Sequence, residues 1–252
     1  MFSIGIDSGS TATKGILLED GVIRRRFLAP TPFRPADAIV EAWETLRAGL
    51  EVRPFLTLTG YGRQLVDFAD KQMTEISCHG RGARLLLPET RTVIDIGGQD
   101  SKVIQLDEDG NLTDFLMNDK CAAGTGRFLE VISHTLGASV EQLDALTEGV
   151  EPHAITSMCT VFAESEVISL RSAGVPPEAI LAGVVNAMAR RSANFISRLS
   201  VQGPLLFTGG VSHCAAFGRM LSEHVNMPVH THPDAQFAGA VGAAMIGQRM
   251  RK

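Results

Sequence analysis

The stretch Arg91-Thr92-Val93-Ile94-Asp95-Ile96-Gly97-Gly98-Gln99-Asp100-Ser101-Lys102-Val103-Ile104-Gln105-Leu106 reads as strand, aspartate, glycine turn, lysine, strand. The same pattern stands at the N-terminus: Phe2 to Asp7 is a buried strand, Ser8 to Gly15 a polar turn, and Ile16-Leu17-Leu18 a second apolar run. Short apolar runs bounded by glycine and hydroxyl residues predict strands joined as hairpins. The recurrence says more than either copy, because two such hairpins predict duplicated lobes that grip opposite sides of one phosphate chain. In the first turn Ser10, Thr11, Ala12, Thr13 and Lys14 offer backbone N–H groups, hydroxyls and one cation, which can surround a polyphosphate. The order G-x-x-x-x-G-K-[ST] of a Walker loop is absent. A plain polar turn accounts for that stretch taken alone equally well. Asp7 and Asp95, both at strand ends, either cap turns or hold Mg²⁺ through water, since Mg²⁺ takes oxygen ligands and keeps several waters. Gln99 has the neutral amide that can orient an attacking water in phosphoryl transfer.

A second informative stretch is Asn118-Asp119-Lys120-Cys121-Ala122-Ala123-Gly124-Thr125-Gly126-Arg127-Phe128-Leu129-Glu130. Gly124 and Gly126 permit close backbone approaches, while Phe128, Leu129, Ile132 and Leu136 recur at helical spacing. Cys121 is therefore expected just ahead of a helix N-terminus, where unpaired N–H groups and the helix dipole favour an anion. Cys159 has a related setting in Ser157-Met158-Cys159-Thr160, followed by Val161 to Leu170, with Ser and Thr available to cap and two glutamates suited to the first turns. Taken singly, each cysteine also reads as a small buried hydrophobe.

The 252 residues suffice for one large domain or two lobes. A net charge of -5 and a charged fraction of 20% argue against a nucleic-acid partner, and Arg24-Arg25-Arg26, the only basic run, reads as a solvated turn. The apolar start is interrupted by Asp7 and has no basic flank, so neither a signal peptide nor a membrane span is expected, and the protein is expected in the cytoplasm. Four cysteines without a C-x-x-C pair suit free thiols or metal ligands in a reducing compartment. Helices are predicted over Arg34–Leu50, Gln64–Asp70, around Ala83–Leu87, and from a start at Pro176-Pro177-Glu178 through to Leu199, with a strand at Phe55–Thr59. Cys78 and His79 are read as structural. Pro204 to Ser212 reads as a buried strand ending in the pair Gly209-Gly210, where backbone can lie against a nucleobase or ribose. A small-residue helix suited to close packing follows Pro233. Residues 1–90 are expected to form one lobe, completed by a C-terminal helix over 235–252, and 91–234 the other, carrying Cys121 and Cys159.

The ordered set I-G-I-D-S-G-S-T, V-I-D-I-G-G-Q-D, F-T-G-G-V and a terminal alanine-glycine helix resembles the acetate kinase, sugar kinase, Hsp70 and actin ATPase superfamily. That resemblance implies an α/β fold of two ribonuclease-H-like lobes with ATP in the cleft between them. Within it, N-D-K-C-A-A-G-T-G-R-F and C-T-V-F-A-E-S-E-V resemble the activators of 2-hydroxyacyl-CoA dehydratases, ATPases of the BadF/BadG/BcrA/BcrD family. The resemblance runs over essentially the whole chain. It implies one 4Fe-4S cluster per homodimer, with Cys121 and Cys159 as the ligands from each chain. Nucleotide contacts would come from Ser10 to Lys14, Gly97, Gly98, Gln99, Gly124, Thr125, Gly126, Thr208, Gly209, Gly210 and Gln236, with Asp7 and Asp95 at Mg²⁺. Four thiolates are the usual demand of such a cluster, and a C2 dimer of chains with two ligands each meets it. The implied activity is ATP-dependent one-electron transfer from a flavodoxin or ferredoxin to a dehydratase-like iron-sulfur partner. Two other readings compete: a small-molecule kinase of the same superfamily without a cluster, against which stands the lack of a convincing acceptor-activating aspartate in a substrate loop beyond the candidates Asp100 and Asp119, and a nucleotide-dependent scaffold or sensor.

Overall fold

The computed structural model describes residues 1–157 and 159–250. Its strands are β1 (Phe2–Ser8), β2 (Ala12–Glu19), β3 (Val22–Pro30), β4 (Phe55–Gly60), β5 (Lys71–Gln72), β6 (Thr92–Ile96), β7 (Ser101–Leu106), β8 (Leu112–Asn118), β9 (Leu205–Thr208) and β10 (Val229–His230). The helices are α1 (Pro35–Arg47), α2 (Glu75–Leu86), α3 (Gly126–Thr135), α4 (Leu143–Thr147), α5 (Thr160–Ser172), α6 (Pro177–Ile196), α7 (Ala215–Val225) and α8 (Ala238–Met250). The first sheet has the order β3-β2-β1-β4-β5 and the second β8-β7-β6-β9-β10, the same arrangement of three successive strands with the next two added beyond the first. The chain divides into two compact units, residues 1–93 with 104–115 and 234–252, and residues 94–103 with 116–233. The fold is thus α/β, with two ribonuclease-H-like lobes.

In the first unit the period-2 alternation of β2 sends its residues to opposite faces of the sheet. Leu17 joins Ile4, Ile6, Leu56 and Leu58 in packing on Ile39, Trp43 and Leu46 of α1. Ile16 and Leu18 face the other way, onto Ala240, Val241 and Ala244 of α8. α2 and α8 meet backbone to backbone, for a β-carbon on Gly242 would overlap the Cys78 carbonyl and one on Gly82 the Ala238 carbonyl. The small-residue pattern after Pro233 is thereby explained as close helix packing; residues 251 and 252 of the expected terminal helix lie outside the described residues. In the second unit Ile94, Ile96 and Val103 bury against Phe128, Leu129 and Ile132 of α3, and Ile180, Val184 and Met188 of α6 fill the same core.

Several expectations are corrected. Residues 64–70 are not helical. Val66, Phe68 and Ala69 pack on the first sheet's core, and the Asp70 carboxylate accepts the Leu56 amide at 2.7 Å while Arg53 reaches it and the Phe68 carbonyl. Those bonds hold the segment along the edge of the sheet as it enters β5. The Arg24-Arg25-Arg26 run is not a solvated turn but the middle of β3. Arg25 donates to the Leu46 carbonyl at the end of α1 at 3.1 Å, and Arg26 makes a two-pronged bond to Asp234 at 2.5 and 2.8 Å. The first turn is shorter than Ser8–Gly15, since β2 resumes at Ala12. α2 starts at Glu75 instead of near Ala83, capped by the Thr74 hydroxyl on the Ser77 amide.

Candidate functional site

The first turn spans Gly9 to Thr11, with Ser10 and Thr11 exposed. Thr31 braces it: its amide donates to the Thr11 carbonyl at 2.9 Å, its hydroxyl to the Gly9 carbonyl at 2.8 Å. Thr13 is buried with its hydroxyl 3.1 Å from that of Thr31, so its side chain serves the strand. In register, Asp7 stands opposite Lys14. Two glycines make room for the buried Asp7 carboxylate: a β-carbon on Gly60 would sit 2.6 Å from Oδ1, and one on Gly239 would sit 2.8 Å from Oδ2. Buried His79 places Nε2 at 3.9 Å from Asp7 Oδ2 and 3.8 Å from Glu75 Oε1. Sequence reasoning left His79 in the core as a structural residue; the signal available was Glu75 one helical turn before it. Gln236 lies half-buried in the 3-10 turn Ala235–Phe237, next to the Asp234 that Arg26 anchors.

In the second unit, the turn after β6 closes with the Gly97 amide donating to the Asp100 carbonyl at 2.9 Å. The start of α3 docks on it: Gly126 N–H donates to the Gly97 carbonyl at 2.8 Å and Arg127 N–H to the Gly98 carbonyl at 2.9 Å. Glycine at 126 suits this close approach, because a β-carbon would lie 3.1 Å from the Gly97 oxygen, tighter than an ordinary contact. The end of β9 joins them. Thr208 Oγ1 donates to Asp95 Oδ1 at 2.8 Å, and Gly209, at φ +89°, has backbone where a side chain would overlap the Ile96 carbonyl. Asp95, Gly97, Gly98, Gly126, Thr208 and Gly209 are therefore neighbours, with Gln99 exposed at the turn's tip. Thr125 turns its hydroxyl back on the Ala122 carbonyl at 2.7 Å.

The residue that sequence reasoning missed is Lys102. It is 1% exposed, and its ammonium donates to Asp100 Oδ2 at 2.8 Å and lies 3.5 Å from Asp95 Oδ2. Its position was visible as the lysine of the repeated pattern, but nothing in the pattern announced burial. Asp100 is thus one side of a buried ion pair.

The four cysteines divide in two. Burial pushes the Cys78 thiol up to about 12 and the Cys214 thiol up to about 11, so both stay protonated. Cys121 and Cys159 are exposed. Cys121 lies on the loop five residues before α3, and the first amides of α3 are engaged by Gly97 and Gly98, so the expected open helix end beside it is not formed. Instead Arg191, held by the Ala123 carbonyl at 3.0 Å, brings Nη2 to 3.8 Å from Cys121 Sγ. Cys159 is the N-cap residue of α5, its carbonyl accepting the Ala163 amide at 2.8 Å. Glu164 and Glu166 fall in the second turn of α5, not the first. Glu166 takes the Thr156 amide and hydroxyl and the Ser157 amide at 2.7 to 2.9 Å, tying down the approach to Cys159; Met158 lies outside the described residues. Among the described residues no group of three His, Cys, Asp or Glu side chains could hold a metal ion within one chain.

Burial pushes the Glu166 carboxyl up, but the bonds from Thr156 and Ser157 outweigh it, leaving the group below the ordinary glutamate value. A carboxyl lower in the folded than in the unfolded state stabilises above its unfolded pKa, and this is lost as pH falls through the folded one. Amide exchange at Thr156 and Ser157, corrected for intrinsic rates, should accelerate as pH falls below the ordinary glutamate value and through the lower value of the folded protein. Protection unchanged across that range would reject the tether.

Two lobes of this topology, each presenting a glycine turn beside a buried aspartate, define the class of the actin- and Hsp70-like ATPases. The sequence profile of the BadF/BadG/BcrA/BcrD ATPase family matches residues 4–247, and the chain belongs to that family. The (R)-2-hydroxyglutaryl-CoA dehydratase activating ATPase of Acidaminococcus fermentans is 43% identical over 255 residues, covering 99% of this chain and 98% of the relative. YjiL of Escherichia coli K12, itself uncharacterised, is 83% identical over 250 residues, covering 99% and 98%. The solved activator of the 2-hydroxyisocaproyl-CoA dehydratase from Clostridium difficile with bound ADPNP superposes with a TM-score of 0.92 at 38% identity, covering 100% of this chain and 97% of that one. Among the described residues no helix is long and apolar enough to cross a membrane.

Proposed function

We propose that this chain is an ATP-dependent one-electron reductase that activates a 2-hydroxyacyl-CoA dehydratase-like iron-sulfur partner. The observation that carries the reading is the division of the cysteines: the two exposed thiols are Cys121 and Cys159, and the other two are buried and protonated. The donor set suits a 4Fe-4S cluster in kind, being exposed thiols on fixed loops, and in number requires a second copy. Cys121 and Cys159 of two chains would hold one cluster across the two-fold axis of a homodimer. The cluster, when bound, supplies one-electron transfer at low potential. The phosphates of ATP would be held by Ser10 to Lys14 and by the turn of Gly97 to Gln99, with Mg²⁺ held through water by Asp7 and Asp95. Gln99 would orient the water that attacks the terminal phosphate, and Thr208, Gly209, Gly210 and Gln236 would complete the nucleotide site. Gly124 to Gly126 run from the loop of Cys121 into α3, whose first amides, on Gly126 and Arg127, bond the second turn at Gly97 and Gly98. A flavodoxin or ferredoxin in the cytoplasm is the expected electron donor. Against the kinase reading stands Asp100, whose bond to Lys102 occupies the carboxylate a phosphoryl acceptor would need as base.

The test is iron and acid-labile sulfide on anaerobically prepared protein, with electron paramagnetic resonance after reduction, for wild type, Cys121→Ser and Cys159→Ser. We expect about four irons per dimer, lost in each variant. An iron-free wild type that phosphorylates a small molecule would establish the kinase reading instead.

A further inference from the structure

Lys120 and Ala123, on either side of Cys121 in the chain, line a cleft of about 730 Å³ whose lining also includes Arg190, Arg191 and Arg198 against one acid, Asp119. On a chain of net charge -5 this is a local concentration of positive charge. Arg191 is the member that touches the sulfur. Its fork is divided, Nε on the Ala123 carbonyl at 3.0 Å and Nη2 at 3.8 Å from Cys121 Sγ. The loop it grips is held at both ends: Asn118 Nδ2 donates to the Cys121 carbonyl at 2.9 Å, and the Gly126 and Arg127 amides bond the turn at Gly97 and Gly98. Gly124 packs against Arg191 and takes φ +88°, a backbone conformation that favours glycine. A planar cation fixed by a backbone carbonyl beside one thiolate stabilises added negative charge on whatever that sulfur binds.

We propose that Arg191 is a tuning residue for the redox group at Cys121, raising its reduction potential through the N–H to sulfur contact. It does so from a loop bonded directly to the turn at Gly97 and Gly98. The inference rests on the cluster reading above. Hydrogen bonds and charge at a cluster's sulfurs are established levers on its potential. A guanidinium favours the more negative, reduced state, so removing it makes the potential lower.

The experiment is a redox titration followed by electron paramagnetic resonance, with iron content, on the homodimer of wild type, Arg191→Met and Arg191→Lys. Expected is unchanged iron in all three, with the reduction equilibrium constant lowered about tenfold or more in Arg191→Met, which is 59 mV for one electron. Arg191→Lys, which keeps the charge without the fork, should fall between. A wild-type potential in iron-replete Arg191→Met overturns the inference and leaves the cluster reading standing, whereas an iron-free wild type removes both. Should Arg191→Met lose its iron, the lysine variant decides. A lowered potential there supports tuning, and a wild-type potential makes Arg191 only a clamp of the loop.

Discussion

Replacing Lys102 with methionine is expected to lower stability by about 3–5 kcal/mol and ATP hydrolysis by about 10²-fold or more. Lys102 is 1% exposed and lies between Asp100 and Asp95, themselves 5% and 2% exposed. Methionine fills much the same space, so the effect isolates charge from volume. Two buried carboxylates would be left without the cation between them. The Thr208 hydroxyl on Asp95 cannot replace it, since a neutral donor offsets only part of a buried charge. The stability loss is checked by denaturant unfolding and the activity loss by phosphate release. A second substitution separates charge imbalance from mere disturbance. Lys102→Met with Asp100→Asn removes one excess negative charge, so the pair should be less destabilised than the two single effects summed. Strict additivity would mean that the lysine's charge is not what the carboxylates require.

Gly242→Ala is expected to destabilise by about 3 kcal/mol or more, against what helix propensity predicts. Alanine is favoured over glycine inside a helix by about 1 kcal/mol, so on propensity alone α8 would gain. The packing term opposes it, because the new β-carbon would overlap the Cys78 carbonyl, and backbone cannot swing aside as a side chain can. For a chain of this size the loss should lower the melting temperature by about 6–12 °C. Gly218→Ala supplies the control. Gly218 lies inside α7 with open space where its β-carbon would go, so there propensity acts alone and a gain of up to about 1 kcal/mol is expected. If Gly242→Ala raises stability as Gly218→Ala does, the contact between α2 and α8 does not limit the first unit.

How much was legible follows from where the causes lie along the chain. The two hairpins, the helix over α6 and the strand before Gly209 were readable because their signals are local: apolar periodicity, glycine at turns, proline at a helix start. The repetition of one hairpin carried the two-lobe fold, because a duplicated pattern survives in sequence even where its ligand does not show. The pairing of Cys121 with Cys159 as candidates likewise came from sequence, through motif context. The helix expected at Gln64–Asp70 failed for the opposite reason. Its apolar residues suit either period over so short a run, and the deciding contacts, Asp70 to Leu56 and Arg53 to Phe68, reach back 14 and 15 residues.

The sequence by itself determined the class of fold, the candidate phosphate turns and the cysteines worth testing, since each is written in residues near one another. Only the tertiary structure decided what those residues do to one another. It buried Lys102 between two aspartates and set His79 beside Asp7. It spent the first amides of α3 on Gly97 and Gly98, and it turned an apparent basic turn into β3, from which Arg26 reaches Asp234 across 208 positions. Burial and charge balance are properties of what packs around a group, and the groups that pack around these come from distant parts of the chain.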